Sequence, residues 1–180
     1  QVWTSDDSDA VERLYIQYGT SIAYPAITMG AHVSAVPNHQ VGRTTSMQMR
    51  ADVAMMGQFG FELDLNKLSP EELETAKNAI EQFKRYRKTI QFGNMYRLRS
   101  PFEGECAVFE FVSEDGEEVL FCAYSLMNHA ENPYEYIRLM GLCEDASYQN
   151  CETGEIVSGK TLANIGVQYR NEADFSSRVI

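Results

Sequence analysis

The sequence predicts an α/β half followed by an all-β half, and three observations carry that expectation. Short apolar runs alternate with amphipathic helices as far as Phe92, the order expected of parallel strands joined by crossover helices. From Tyr96 onward, short alternating strands are separated by clusters of Asp, Glu, Gly and Pro. The charge changes at the same point: residues 1–95 carry 9 basic and 11 acidic side chains, residues 96–180 carry 6 and 15. These observations divide the chain into 1–94, a run of βα units, and 95–180, an antiparallel β-sandwich.

The first unit opens on Trp3-Thr4-Ser5-Asp6-Asp7-Ser8-Asp9, three carboxylates in four positions after a tryptophan and ahead of a helix. Neighbouring carboxylates resist ionising together, so such crowding calls for capping, solvent or a chemical task. Asp9 suits the N-cap of the following helix, with Glu12 as its capping-box partner and Asp7 supporting the positive helix end. Asp6 stands too early to cap. It ends the short apolar strand Val2-Trp3, and in parallel α/β folds the carboxyl end of a strand is where catalytic side chains are placed.

Val11, Leu14, Tyr15 and Tyr18 give a one-sided helix that Gly19 should end. The small-residue run Ala26–Val33 reads as a buried parallel strand, and Ser34–Arg43, with Pro37, Asn38, His39 and Gly42, as the loop after it. A helix with Met49, Val53 and Met56 on one face follows and stops at Gly57; its methionines read as core filler. Phe61–Leu65 alternates as a strand, its acidic residues facing solvent. The clearest helix starts at Ser69-Pro70 with Glu72 completing a capping box, and runs to Phe92. Its Glu81–Arg85 pair lies on the outer face, and the basic run Lys84–Lys88 complements the helix dipole, so a nucleic-acid or membrane reading is not needed.

In the second half, Cys106–Val112 and Glu118–Leu126 flank Ser113-Glu114-Asp115-Gly116-Glu117 and make a hairpin. Further strands are expected at Tyr136–Met140, near Tyr148, at Glu155–Val157 and at Ser176–Ile180, and Glu152-Thr153-Gly154-Glu155 reads as a turn.

Composition bounds the function. A net charge of −11 argues against nucleic acid as a partner. No apolar run approaches a membrane span, and Gln1-Val2-Trp3 is neither a signal peptide nor an ordinary start of translation, so the chain is expected to begin within a longer protein. Cys106, Cys122, Cys143 and Cys151 show no zinc spacing, and the hairpin register sets Cys106 against Ser125 and Cys122 against Phe109. Free thiols in a reducing cytoplasm follow.

The chain resembles the bacterial α-galactosidases of the melibiase type, glycoside hydrolase family 36. Trp3-Thr4-Ser5-Asp6-Asp7-Ser8-Asp9-Ala10-Val11-Glu12-Arg13-Leu14, Ile16–Ser21 and Met29–Thr45 carry the resemblance, and Phe59–Leu65 and Ile90–Leu98 extend it. It weakens after Glu103. The resemblance implies a (β/α)8 catalytic barrel whose last three βα units lie here, followed by a C-terminal antiparallel β-sandwich. It implies hydrolysis of terminal α-linked galactose from oligosaccharides such as melibiose and raffinose, with retention, no metal or organic cofactor, and a homo-oligomeric enzyme.

On the same resemblance Asp6 is the general acid/base, matching the aspartate of the family's Trp-x-Ser-Asp motif. In a retaining glycosidase two carboxyl groups about 5 Å apart flank the scissile bond; one attacks the sugar, the other protonates the leaving oxygen and then deprotonates water. Trp3, Asp7, His32 and Asn38 are the substrate-binding candidates: Trp3 offers an apolar wall or stacking face, Asp7 adds charge, and His32 and Asn38 could contact substrate hydroxyls, each of these two with a structural role as its alternative. The family's nucleophile lies in a Lys-x-Asp stretch on an earlier strand, and a Cys- and Gly-rich galactose-binding stretch precedes the position of Gln1. Neither is in this sequence, so no nucleophile is assigned, the N-terminal remainder of the enzyme is the expected partner, and the chain alone is expected to be inactive. The competing reading is a non-catalytic carbohydrate-binding or structural module. A phosphatase with Asp7 and Asp9 as its nucleophile pair fits less well because Asp9 is used as a cap, and a calcium loop lacks its glycine and its closing glutamate.

Overall fold

Val2 begins the first sheet. Its N–H donates to Thr28 O at 2.6 Å and its carbonyl accepts from Gly30 N at 3.1 Å, a parallel bridge that aligns the start of the chain with the next strand. The computed structural model describes residues 1–180, which divide into two compact units, Gln1–Gln91 and Phe92–Ile180. In the first, α1 (Ala10–Ser21) leads to β1 (Gly30–Ser34), α2 (Met47–Met55) to β2 (Gln58–Glu62), and α3 (Pro70–Phe92) closes the series. β1 and β2 are parallel, with His32 opposite Gly60.

Strand periodicity gives this sheet two unlike faces. Ala31 and Val33 pack with Met47, Ala51 and Ala54 of α2 and Ala76 and Ala79 of α3, joined by Phe59 and Phe61. Side chains alternate along a strand, so Gly30, His32 and Ser34, with Gln58, Gly60 and Glu62, fall on the opposite face. One face is therefore apolar and covered by helices, and the other is small and polar.

The helix starts match their local chemistry. Asp9 accepts from Val11 N and Glu12 N, Ser46 from Met49 N, and Ser69 and Glu72 form the reciprocal capping box at 3.1 Å in each direction; each cap is worth about 1 kcal/mol. α2 is buried on nearly every side, so its methionines are core. The helix ends at Met55, and position 57 takes glycine for a steric reason: a Cβ there would stand 2.6 Å from Met29 O. Arg50 reaches out of α2 to Ser34 O at 2.7 Å and Glu72 at 3.1 Å, its guanidinium held below its ordinary value by burial.

Several local expectations are corrected. Glu12 does not reach back to close a capping box, because Asp7 accepts from Asp9 N and Glu12 lies 3.7 Å from Arg43. Gly19 sits inside α1, which continues to Ser21. The face α1 buries is Ala10, Val11, Arg13, Leu14 and Gln17, while Tyr15 and Tyr18 stay half-buried. Residues 26–28 are a 3-10 turn ahead of β1. The strand expected at Phe61–Leu65 ends at Glu62, since Asp64 accepts from Asn66 N and starts a 3-10 turn. Glu81 pairs with Lys84 at 2.8 Å instead of Arg85, whose guanidinium lies over the Tyr86 ring.

The second unit comprises β3 (Asn94–Arg99), β4 (Cys106–Val112), β5 (Val119–Ser125), β6 (Glu135–Ile137), β7 (Ser147–Gln149), β8 (Ile156–Ser158), α4 (Gly159–Asn164), β9 (Val167–Tyr169) and β10 (Ser176–Val179). They form one antiparallel sheet in the order β10-β5-β4-β3 and two ribbons, β6-β9 and β7-β8. The hairpin has the expected register, Cys106 against Ser125 and Cys122 against Phe109, and no disulfide joins any of the four cysteines. α4 and β9 were not expected: each is short, and β9 is held by pairing with β6 rather than by its own pattern.

β4 and β5 are buried on both faces. On one, Val108, Phe121 and Ala123 meet Ile137, Leu139 and Tyr169. Glu110 belongs to that face and is 0% exposed. One oxygen accepts from Met140 N at 2.8 Å, the other has no partner, and burial pushes the carboxyl up to about 7.

Candidate active site

The site grows from the turn between the Val2 bridge and α1. Ser5 Oγ accepts from Asp7 N at 3.0 Å, Asp7 Oδ1 from Asp9 N at 2.9 Å, and Asp9 Oδ2 from the first two amides of α1. Asp9 is also ion-paired with Arg43 from the loop after β1. Two of the three crowded carboxylates are thus committed to backbone amides. Asp6 is not held this way: it is exposed and takes a 2.7 Å hydrogen bond from the Trp3 indole N–H.

Trp3 is 58% exposed, and its ring lies 5.6 Å from the His32 imidazole at an interplanar angle of 38°. Gly60 makes room for that imidazole. A Cβ there would stand 3.2 Å from His32 Cδ2, tighter than side chains ordinarily pack. The turn after the first bridge and the polar face of β1 therefore bring together a carboxylate, an indole and an imidazole.

Asn38 has a different task. It is 3% exposed, its Oδ1 accepts from Gln40 N and Val41 N at 2.9 and 3.0 Å, and its backbone bonds to Arg43 O and Gly42 N. It shapes the loop that delivers Arg43 to Asp9, with its Nδ2 buried and unpartnered. Asp7 likewise serves the turn. No group of three or more His, Cys, Asp or Glu side chains is arranged to hold a metal ion.

The sequence reading missed what lies beneath the turn. Arg13, 5% exposed, donates from Nη1 to Thr4 Oγ1 at 2.6 Å, from Nη2 to Gly30 O at 2.6 Å, and from Nε and Nη2 to Gln17 Oε1 at 3.1 Å. Gln17 in turn donates to Val53 O at 2.9 Å. Burial lowers the guanidinium to about 10, with the Asp7 charge acting the other way. The signal available was a polar pair at i, i+4, Arg13 and Gln17, on the stripe that also holds Ala10 and Leu14.

The comparisons with known proteins match the α/β unit and the antiparallel β unit to two domains of one glycoside hydrolase family. The sequence profile of melibiase matches residues 1–93, and that of the glycosyl hydrolase family 36 C-terminal domain matches residues 106–180. The chain belongs to the melibiase family, glycoside hydrolase family 36. It is 48% identical over 179 residues to alpha-galactosidase AgaA of Geobacillus stearothermophilus, covering 98% of this chain and 24% of that protein. It is 44% identical over 167 residues to the bifunctional alpha-galactosidase/sucrose kinase AgaSK of Mediterraneibacter gnavus, covering 93% of this chain and 18% of that one. The structure superimposes on a substituted AgaA in complex with raffinose with a TM-score of 0.96 at 46% identity, over 99% of this chain and 25% of that chain. The chain thus spans about a quarter of the length of AgaA.

Proposed function

We propose that this chain is the C-terminal part of a retaining α-galactosidase that removes terminal α-linked galactose from oligosaccharides of the melibiose and raffinose type, with Asp6 as general acid/base. The observation that carries the assignment is the Trp3–Asp6 pair: of the three crowded carboxylates, Asp6 alone is exposed and oriented by a side-chain donor. The Val2–Met29 bridge and the β1–β2 pairing are parallel, which supports reading residues 1–94 as the last three βα units of a (β/α)8 barrel and 95–180 as its β-sandwich. The polar face of Gly30, His32 and Gly60 is then the barrel interior.

The geometry divides the work within the carboxyl group. The indole N–H occupies Oδ1, so Oδ2 is the oxygen that carries the proton to the glycosidic oxygen and later takes one from water. Trp3, tilted against His32 and largely exposed, provides an apolar surface for a sugar ring, and His32 can bond a hydroxyl. The N-terminal remainder supplies the nucleophilic carboxylate, and the complete enzyme acts as an oligomer without a cofactor.

In the full-length enzyme, Asp6→Asn is expected to lower kcat/KM for raffinose by roughly 10²–10⁴-fold, and far less for 2,4-dinitrophenyl α-galactoside, whose phenolate leaves without a proton. Unchanged raffinose hydrolysis would remove Asp6 from the mechanism and leave the non-catalytic module reading in its place. The 180-residue chain alone is expected to show no turnover of p-nitrophenyl α-galactoside.

A further inference from the structure

We propose that Arg13 is a positioning residue for the general acid/base: it clamps the turn that carries Asp6 onto the first residue of β1. The proposal rests on Asp6 being the proton donor of an α-galactosidase. Thr4 lies two residues before Asp6, and Arg13 holds its hydroxyl and the Gly30 carbonyl with two neighbouring nitrogens, each at 2.6 Å. The same Thr4 hydroxyl lies 3.4 Å from Gly30 O, so turn, strand and guanidinium meet at one point. Gln17 receives Nε and Nη2 and passes the restraint to Val53 O of α2.

A buried guanidinium is a poor choice if the turn needs only stability, because well-packed apolar residues hold such a contact as well or better. What a guanidinium adds is a planar, rigid fork that sets the direction of each bond. Lysine has the charge without the fork. Direction matters here because Asp6 must meet a glycosidic oxygen, and a 1 Å misplacement can cost about 10²-fold in rate. His32 is two residues along β1 from Gly30, so the clamp also sets the Trp3–Asp6 pair against the imidazole.

The test uses Arg13→Lys and Thr4→Val in the full-length enzyme, with Asp6→Asn as reference. Thr4→Val removes only the tether to the turn and leaves the Arg13–Gln17–Gly30 bonds in place, so it guards against a folding failure of the first variant. Each is assayed for kcat/KM on raffinose, which needs a protonated leaving group, and on 2,4-dinitrophenyl α-galactoside, which does not. Arg13→Lys is expected to lower the raffinose value about 10–100-fold with little change on the aryl substrate, and Thr4→Val to show the same selectivity to a smaller degree. Equal losses on both substrates, or no loss, would overturn the proposal, since a structural role alone lowers both together. If Asp6→Asn itself shows no selectivity, the acid/base assignment fails and takes the proposal with it, which the reference variant reveals directly.

Discussion

Arg13 and Glu110 are both buried ionisable groups, and the protein treats them in opposite ways. Arg13 remains charged with Thr4, Gly30 O and Gln17 all bonded to it, beneath a turn that has to be held in place. Glu110 lies in a sheet covered on both faces, with one oxygen bonded to Met140 N and the other unmet, and its carboxyl is pushed up to about 7. Burial costs a fully bonded charge less than a half-bonded one, so Arg13 stays ionised at neutral pH while Glu110 is half protonated there. The two sheets differ in the same sense. The parallel sheet keeps one small, polar face, whereas β4 and β5 bury both of theirs.

The contrast can be broken at either end. Replacing Arg13 alone with Met, its polar partners left in place, should leave Gln17 Oε1 unbonded and take the guanidinium's bond from Gly30 O, and destabilise the chain by about 3 kcal/mol across the pH range, measured by urea unfolding. Glu110→Gln should act with the opposite sign and only above a certain pH. A carboxyl whose folded value exceeds its ordinary 4.5 takes up a proton on folding, so its contribution is intact below about pH 4.5 and falls as the pH rises to about 7. The variant, which keeps an acceptor for Met140 N, should match the parent at pH 4.5 and gain up to about 3 kcal/mol at pH 8. A parent chain whose urea midpoint relative to Glu110→Gln is the same at both pH values would show that Glu110 is not suppressed.

Gly57→Ala is expected to cost about 1–3 kcal/mol, because the new methyl meets the Met29 carbonyl at the seam between α2 and β2. The smallest effect belongs to the exposed Glu81–Lys84 pair, where Glu81→Ala should move stability by no more than about 0.5 kcal/mol.

Much of the architecture was legible because it is written in local chemistry. Ser69, Pro70 and Glu72 announce α3, Asp9 caps α1, the Asp115-Gly116 turn closes β4 onto β5, and that turn sets the cysteine register. Asp6 and Trp3 could be singled out because a carboxylate too early to cap, next to a tryptophan, needs another explanation. The buried face of α1 was misplaced because Arg13 and Gln17 look like solvent-facing residues until their partners are known. Asn38 stood as a ligand candidate because an amide in a loop serves a turn and a hydroxyl equally well until its acceptor's donors, Gln40 N and Val41 N, are seen.

By itself the sequence determined the alternation of the first half, the Asp9 and Ser69 caps, the β4–β5 hairpin and the clustering of three carboxylates before α1, since each depends on residues within a few positions of one another. Only the tertiary structure decided which of the three carboxylates remained exposed. That choice depends on contacts distant in sequence: Arg43 closing on Asp9, Gly60 making room for His32, and Arg13 joining Thr4 to β1. No local pattern specifies such contacts, because they exist only once the chain has brought the strand ends together.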